Sequence, residues 1–394
     1  MTRPWITLAA VSVVFFLITA TTFSSLGVVL PAMIGELHWS WGGAGTGFSL
    51  LGVAAGITAT IPASLIRRFG VRTTLVVGSL AMAAAFACLA LTHGLMLYFI
   101  GCLLMGLGFT LLATVPGTYL LARLFANPSF AFGLYFTVGG LGGVAGPVLY
   151  LWVAGLTQNW RAYWLVSLLI VAVAGLLSAV LVDVDTDVRG NAGGDAAITK
   201  EEWSVKAALR TPQFAILAAA YSIFLFVGIT VNAVSVAHLM SRGIPAAVAG
   251  GMMSAEALVN AGARLAGGVI VRWINAKLLL LLSLAMLIGG LAALSAAHDM
   301  PLMLLYAIGI GVGYGLTFFA STILLLDYFG RGPNLELFAA INLISTIGAG
   351  GPAFAGFVAD HTGSFVPAFT ILEVLVVMVL VAVLLMRRPL RMAV

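Results

Sequence analysis

The stretch Ala246–Arg272, AAVAGGMMSAEALVNAGARLAGGVIVR, is long and apolar enough to cross a bilayer, yet it carries Glu256, Asn260 and Arg264. Spacings of i, i+4 and i+8 set those three side chains near one face of an α-helix. A charged residue at bilayer depth costs roughly 2.5–3.5 kcal/mol on insertion scales, so it is expected to face a wet cavity or a partner. A guanidinium cannot shed its proton to escape that cost. Arg264 therefore reads as the fixed positive charge of an anion-binding site.

The rest of the chain supports a membrane setting. Of 394 residues, 62% are hydrophobic and only 8% are charged, against about 25% charged in a soluble domain. Such a surface requires lipid as its solvent. The 46 glycines suit close approach of helices within a membrane. The uncharged run from Pro4 to Gly35 is too long for the apolar part of a cleaved leader and reads as a first span. Cys88 and Cys102 fall inside apolar runs and carry no disulfide signal. The sequence shows no metal-ligand spacing, phosphate-cradling loop or nucleophile constellation, so no enzyme activity, cofactor or metal is expected.

Each run of roughly 20 apolar residues is a candidate spanning helix. Twelve are expected, at about 6–33, 44–66, 73–92, 95–121, 131–154, 162–182, 213–239, 246–271, 276–296, 301–327, 336–359 and 365–386. With the N-terminus inside, Arg161 and Arg242 fall outside and Arg264 within a span, which leaves the other fifteen of 18 basic residues on the cytoplasmic side. That bias fits the positive-inside rule with both termini cytoplasmic. The net charge of +5 is thus read as membrane orientation and not as nucleic-acid binding.

A polar segment, Asp183–Pro212, divides the spans six and six, and Trp203–Leu209 within it reads as a short interfacial helix. The expected domains are an N-terminal six-helix bundle (1–183), a cytoplasmic linker (184–212) and a C-terminal six-helix bundle (213–394). The halves repeat weakly. Arg68 and Arg272 close the second and eighth spans, Phe125 matches Phe329 at the same separation, and Gly139–Pro147 (GGLGGVAGP) parallels Ser345–Pro352 (STIGAGGP). A parallel repeat predicts a substrate site at midplane, with one half rocking against the other. The glycine runs read as tight packing at the moving interface.

Twelve spans, a central loop and these repeats resemble the major facilitator superfamily. After span two, Ala63-Ser-Leu-Ile-Arg67-Arg68-Phe69-Gly70-Val71-Arg72 looks like that superfamily's Gly-x-x-x-Asp-Arg-x-Gly-x-Arg motif, matching at Arg68, Gly70 and Arg72 and departing at Ala63 and Arg67. Within the superfamily, Arg68-Phe69-Gly70-x-Arg72 and Asn260-x-x-x-Arg264 resemble the monocarboxylate transporter branch, in its bacterial lactate-type form, with features shared by oxalate–formate exchangers. The resemblance implies an all-α membrane fold of two pseudo-symmetric bundles. It implies proton-coupled symport of small monocarboxylates such as L-lactate or pyruvate by alternating access, and a monomer; the short loops and the uncleaved first span lead us to expect a bacterial inner membrane. It also implies that the carboxylate binds Arg264, with Leu26 or Ser25 near the place of a span-one lysine in the branch's animal members. The alternatives are an organic anion exchanger, a proton-driven drug or sugar exporter, and a transport-dead carboxylate sensor.

One permanent cation matches one carboxylate, which guanidinium can hold through two parallel hydrogen bonds. Asn260 could orient Arg264 or bond a 2-hydroxyl, and the hydroxyls of Tyr119 and Tyr314 could close the site or simply anchor and pack. Proton coupling needs a titrating group. The candidates are Glu256, Glu373 and His238, since a carboxyl taken out of water can pass a proton near neutrality; the rival is that the proton enters on the substrate itself, with no dedicated carrier. The five histidines, His38, His93, His238, His298 and His361, all fall near predicted outer ends. Glu336 at the start of span eleven is expected to pair with Arg67 or Arg68 as a cytoplasmic latch.

Overall fold

The computed structural model describes residues 3–125, 129–182, 203–271, 273–330 and 333–389. Helices make up every regular element among them: α1 (Arg3–Thr21), α2 (Phe23–Leu37), α3 (Trp41–Ile57), α4 (Ile61–Ala90), α5 (Leu95–Leu112), α6 (Thr114–Leu124), α7 (Ser129–Thr157), α8 (Trp160–Leu181), α9 (Val205–Leu209), α10 (Pro212–Ser241), α11 (Ala246–Ile270), α12 (Ala276–Ala296), α13 (Met300–Phe329), α14 (Asn334–Ser345), α15 (Gly351–Thr362) and α16 (Val366–Leu385).

Among the described residues, ten stretches are long and apolar enough to cross a membrane. One of them, Trp41–Ala90, has 50 residues, about twice the length a single crossing needs. Gly70 splits it, with φ 82° and ψ 170° inside α4, a conformation that glycine adopts without steric cost. The 25-residue α11 adds a further span-length helix, its apolar character diluted by Glu256 and Arg264. The twelve expected spans are accounted for in this way.

Local chemistry explains the boundaries. Ser40, Asn159, Ser204, Asn275 and Asp299 each accept a backbone N–H at the start of α3, α8, α9, α12 and α13, as N-caps do. Gly363 ends α15 in the left-handed region at φ 73°. Four expected spans are interrupted, among them span two at the 3-10 turn Thr58–Thr60 and span four at Ala113 between α5 and α6. Span one breaks at Thr22 between α1 and α2. Span eleven passes through a 3-10 turn at Thr346–Gly350 between α14 and α15, whereas its repeat counterpart, Gly139–Pro147, stays inside the continuous α7. Arg272, Arg331 and most of the central segment, including 183–202, lie outside the described residues. The short helix expected at Trp203–Leu209 is α9, and Trp203 sits edge-on to Phe329, with centroids 5.5 Å apart.

The chain packs as two compact units. The first comprises Met1–Asp187, Ile229–Leu258 and Ala349–Phe365; the second comprises Val188–Gly228, Val259–Gly348 and Val366–Val394. Within the first, α1 and α7 cross at the glycine run. A Cβ on Gly142 would lie 2.2 Å from the Phe16 carbonyl oxygen, and one on Gly146 would lie 2.3 Å from that of Ala20. Most of this run therefore packs α7 against α1, while Gly143 faces Ala257 of α11. Within the second unit, α12 packs along α13 and α16. Lys277 Nζ donates to the carbonyls of Leu384 and Met386, which closes the last turn of α16.

Candidate functional site

The second unit builds a cradle around Arg264. Its Nε donates to Asn260 Oδ1 at 3.0 Å, one turn earlier on α11, so the i, i+4 pair read from the sequence is formed. The guanidinium carbon lies 5.0 Å from the Phe318 ring centroid and 5.7 Å from that of Tyr314, both within cation–π range. The side chain is exposed. Among the described residues its two terminal amino groups have no hydrogen-bond partner, and Arg264 forms no ion pair. That leaves parallel donors of the kind a carboxylate takes.

Two glycines make the cradle possible. A Cβ on Gly315 of α13 would fall 2.7 Å from the Asn260 carbonyl oxygen, so α13 approaches α11 only because that position is bare. A Cβ on Gly228 of α10 would fall 2.0 Å from the Tyr314 ring, which occupies the notch that glycine leaves. The aromatic floor continues beyond the two rings under Arg264. Phe224 lies 5.0 Å from Tyr314, Tyr221 lies 4.8 Å from Phe224, and Tyr221 also meets Phe318 and Phe338. Tyr221, 4% exposed, donates its hydroxyl towards Asn342 Oδ1 at 3.4 Å.

Of the residues expected at the site, Arg264, Asn260 and Tyr314 come together. Tyr119 instead carries Arg123 over its ring, at 4.4 Å, in the first unit. Leu26 is fully buried at 0% exposure, packed within the first unit. Its neighbour Ser25 is bonded to Tyr163 Oη and the Ala20 carbonyl. Glu256 is buried at 4% exposure in the first-unit part of α11. His238 is buried beside Phe365, with ring centroids 6.4 Å apart. Glu373 is half-buried on α16, and its Oε1 has no hydrogen-bond partner among the described residues. Arg67, Arg68 and Glu336 are exposed, and Arg67 reaches Ser64 Oγ at 3.5 Å.

Sequence reasoning missed Tyr221, Phe224, Phe318, Phe338 and Asn342. The signal was present as helical spacing: Tyr221 and Phe224 at i, i+3, Tyr314 and Phe318 at i, i+4, and Phe338 and Asn342 at i, i+4. It was masked because aromatic residues at such spacings fill cores equally well. No group of three or more His, Cys, Asp or Glu side chains able to hold a metal occurs among the described residues.

Comparison with known proteins decides the family. The model of the Major Facilitator Superfamily matches residues 12–350. The chain belongs to that superfamily. Its membership makes it a multi-pass membrane transporter. It is 32% identical over 179 residues to the class D tetracycline resistance protein of Salmonella ordonez, a match that spans 44% of each chain. The fold is similar to that of a crystallised variant of the nucleoside transporter NupG, with a TM-score of 0.75 and 15% identity over 96% of this chain and 99% of that one. It is also similar to a bacterial homologue of the human lysosomal transporter Spinster in an inward-facing, unoccupied conformation. There the TM-score is 0.73 at 14% identity, covering 98% of this chain and 95% of that one. At these identities the structural neighbours speak for the fold alone.

Proposed function

We propose that this superfamily transporter carries small monocarboxylate anions, of which L-lactate and pyruvate are the first probes, by proton-coupled symport and alternating access. The observation that carries the reading is the state of Arg264. Its Nε is spent on Asn260 while its terminal amino groups stay open above two aromatic rings. A single fixed cation suits a single carboxylate, because a second anionic group in a low-dielectric cleft would be left unpaired. Coupling is assigned to a carboxyl within a span, with the buried Glu256 and the half-buried Glu373 as the candidates. This reading keeps both termini on the cytoplasmic side of a bacterial inner membrane, with the chain acting as a monomer.

Uptake of labelled lactate into proteoliposomes under an imposed pH gradient tests it. Symport gives accumulation when the outside is acidic, and Arg264→Gln abolishes it. Arg264→Lys, which keeps charge but not the planar fork, leaves a weak residue of transport. Uptake unchanged in Arg264→Gln would overturn the anion site. Glu256→Gln and Glu373→Gln separate the proton carriers, since only loss of the true carrier uncouples uptake from the gradient.

A second reading is favoured by the identity shared with the tetracycline resistance protein. On it the chain exports a larger, ring-bearing drug, and the half-buried Tyr314 and Phe318 contact its rings. Lactate-insensitive efflux of tetracycline in loaded vesicles would select that reading over the first.

A further inference from the structure

We propose that Asp360 is a latch that seals the passage at the end of the molecule carrying Trp41, by capping the first turn of α3 with both oxygens of its carboxylate. Trp41 N–H donates to Asp360 Oδ1 and Gly42 N–H donates to Oδ2, each at 2.8 Å. Gly43 N–H is taken by Ser40 Oγ at 3.0 Å, and Ala44 N–H by the Ser40 carbonyl. All four amides that open α3 are therefore satisfied, two of them from a residue more than 300 positions away. An anion at a helix N-terminus is favoured by the helix dipole as well as by the bonds themselves.

Nothing in its own helix recommends an acid at this position. Asp360 sits in the last turn of α15, where the dipole of α15 disfavours negative charge. What offsets that is α3. The surrounding contacts are equally close. A Cβ on Gly45 would meet the Pro352 carbonyl oxygen at 2.2 Å, and one on Gly356 would meet that of Trp41 at the same distance. Ala353 N–H donates to Ser49 Oγ at 3.0 Å, and Trp41 and Phe365 meet edge to face at 5.1 Å. On α11, Ser254 Oγ donates to the Val144 carbonyl of α7.

Every one of these contacts lies inside the first unit, and each joins residues before 188 to residues after 228. Under alternating access such contacts have to part once per cycle for that end to open. Asp360 is the ionic member of the set, so it acts as a positioning residue for the closed end and not as a substrate ligand. The inference is independent of which solute is carried, and its test needs no substrate.

The test uses the full-length protein in intact cells with Cys88→Ala and Cys102→Ala. A reporter cysteine, Ser24→Cys, sits on α2 at 7% exposure, about 20 Å from the far end of that helix. A membrane-impermeant maleimide is added from outside. Asp360→Ala is expected to raise the labelling rate about tenfold and Asp360→Asn, which keeps one acceptor, about threefold. Size-exclusion profiles confirm that the variants are folded. A second measurement works in the opposite sense. Gly42→Cys with Asp360→Cys places two thiols where a Cβ on Gly42 would be 2.8 Å from Asp360 Oδ2. Oxidation is expected to suppress reporter labelling and reductant to restore it. Equal labelling of folded parent and Asp360→Ala proteins, or a crosslinked protein that labels as fast as the reduced one, would overturn the proposal.

Discussion

Arg264 and Asp360 are both exposed charged residues near glycine-lined helix contacts, yet they use their charge in opposite ways. Asp360 has both oxygens committed to backbone amides. Arg264 commits one nitrogen to Asn260 and holds the rest above aromatic faces. A charge fully spent on the protein stabilises one arrangement of it, whereas a charge left partly unspent is available to something that arrives. The contrast separates a structural role from a binding one without reference to position in the sequence.

The most severe challenge to that distinction is Arg264→Gln. Loss of a charge-assisted, two-bond contact is expected to weaken lactate binding about 100-fold, measured by tryptophan-fluorescence titration of purified protein, with little change in melting temperature. A large fall in melting temperature with binding retained would mean that Arg264 is as structurally committed as Asp360. Gly315→Val should come next. The added side chain collides with the Asn260 backbone, pushes α13 from α11 and lifts Tyr314 and Phe318 away from the guanidinium, so affinity falls about tenfold with moderate destabilisation.

Ser49→Ala sharpens the other side of the comparison. It removes a single neutral bond to Ala353 N–H beside the latch, and reporter labelling at Ser24→Cys should rise by only about two- to threefold. The smallest effect belongs to Glu36→Gln. Glu36 pairs with Arg161 and accepts from Trp160 Nε1, but its side chain is 49% exposed. Surface pairs are worth about 0–1 kcal/mol, so melting should shift by no more than a few degrees, with both binding and labelling unchanged.

Much of this was legible in the sequence, and for definite physical reasons. Span length follows from bilayer thickness, so the helices could be counted, and Gly70 marked the joint between spans two and three because of its place in a polar, arginine-rich turn. Arg264 and Asn260 were legible because an ionised residue in an apolar run demands a partner at helical spacing. The aromatic floor was not, since Tyr221, Phe224 and Phe318 look the same in a core as in a cradle. Leu26 was placed by resemblance, and its complete burial reflects packing that no spacing rule encodes. The break at Thr346–Gly350 was hidden because its counterpart, Gly139–Pro147, has a similar composition yet remains helical against α1.

The capping of α3 has a consequence for how this protein should be compared with others. Asp360 recognises main-chain N–H groups, so position 41 imposes no matching side chain and position 42 asks only for the lack of one, since a Cβ there would lie 2.8 Å from Asp360 Oδ2. Across a set of related sequences an aspartate here would be held in place while varying in step with no other column, and a search for correlated pairs would pass over the contact.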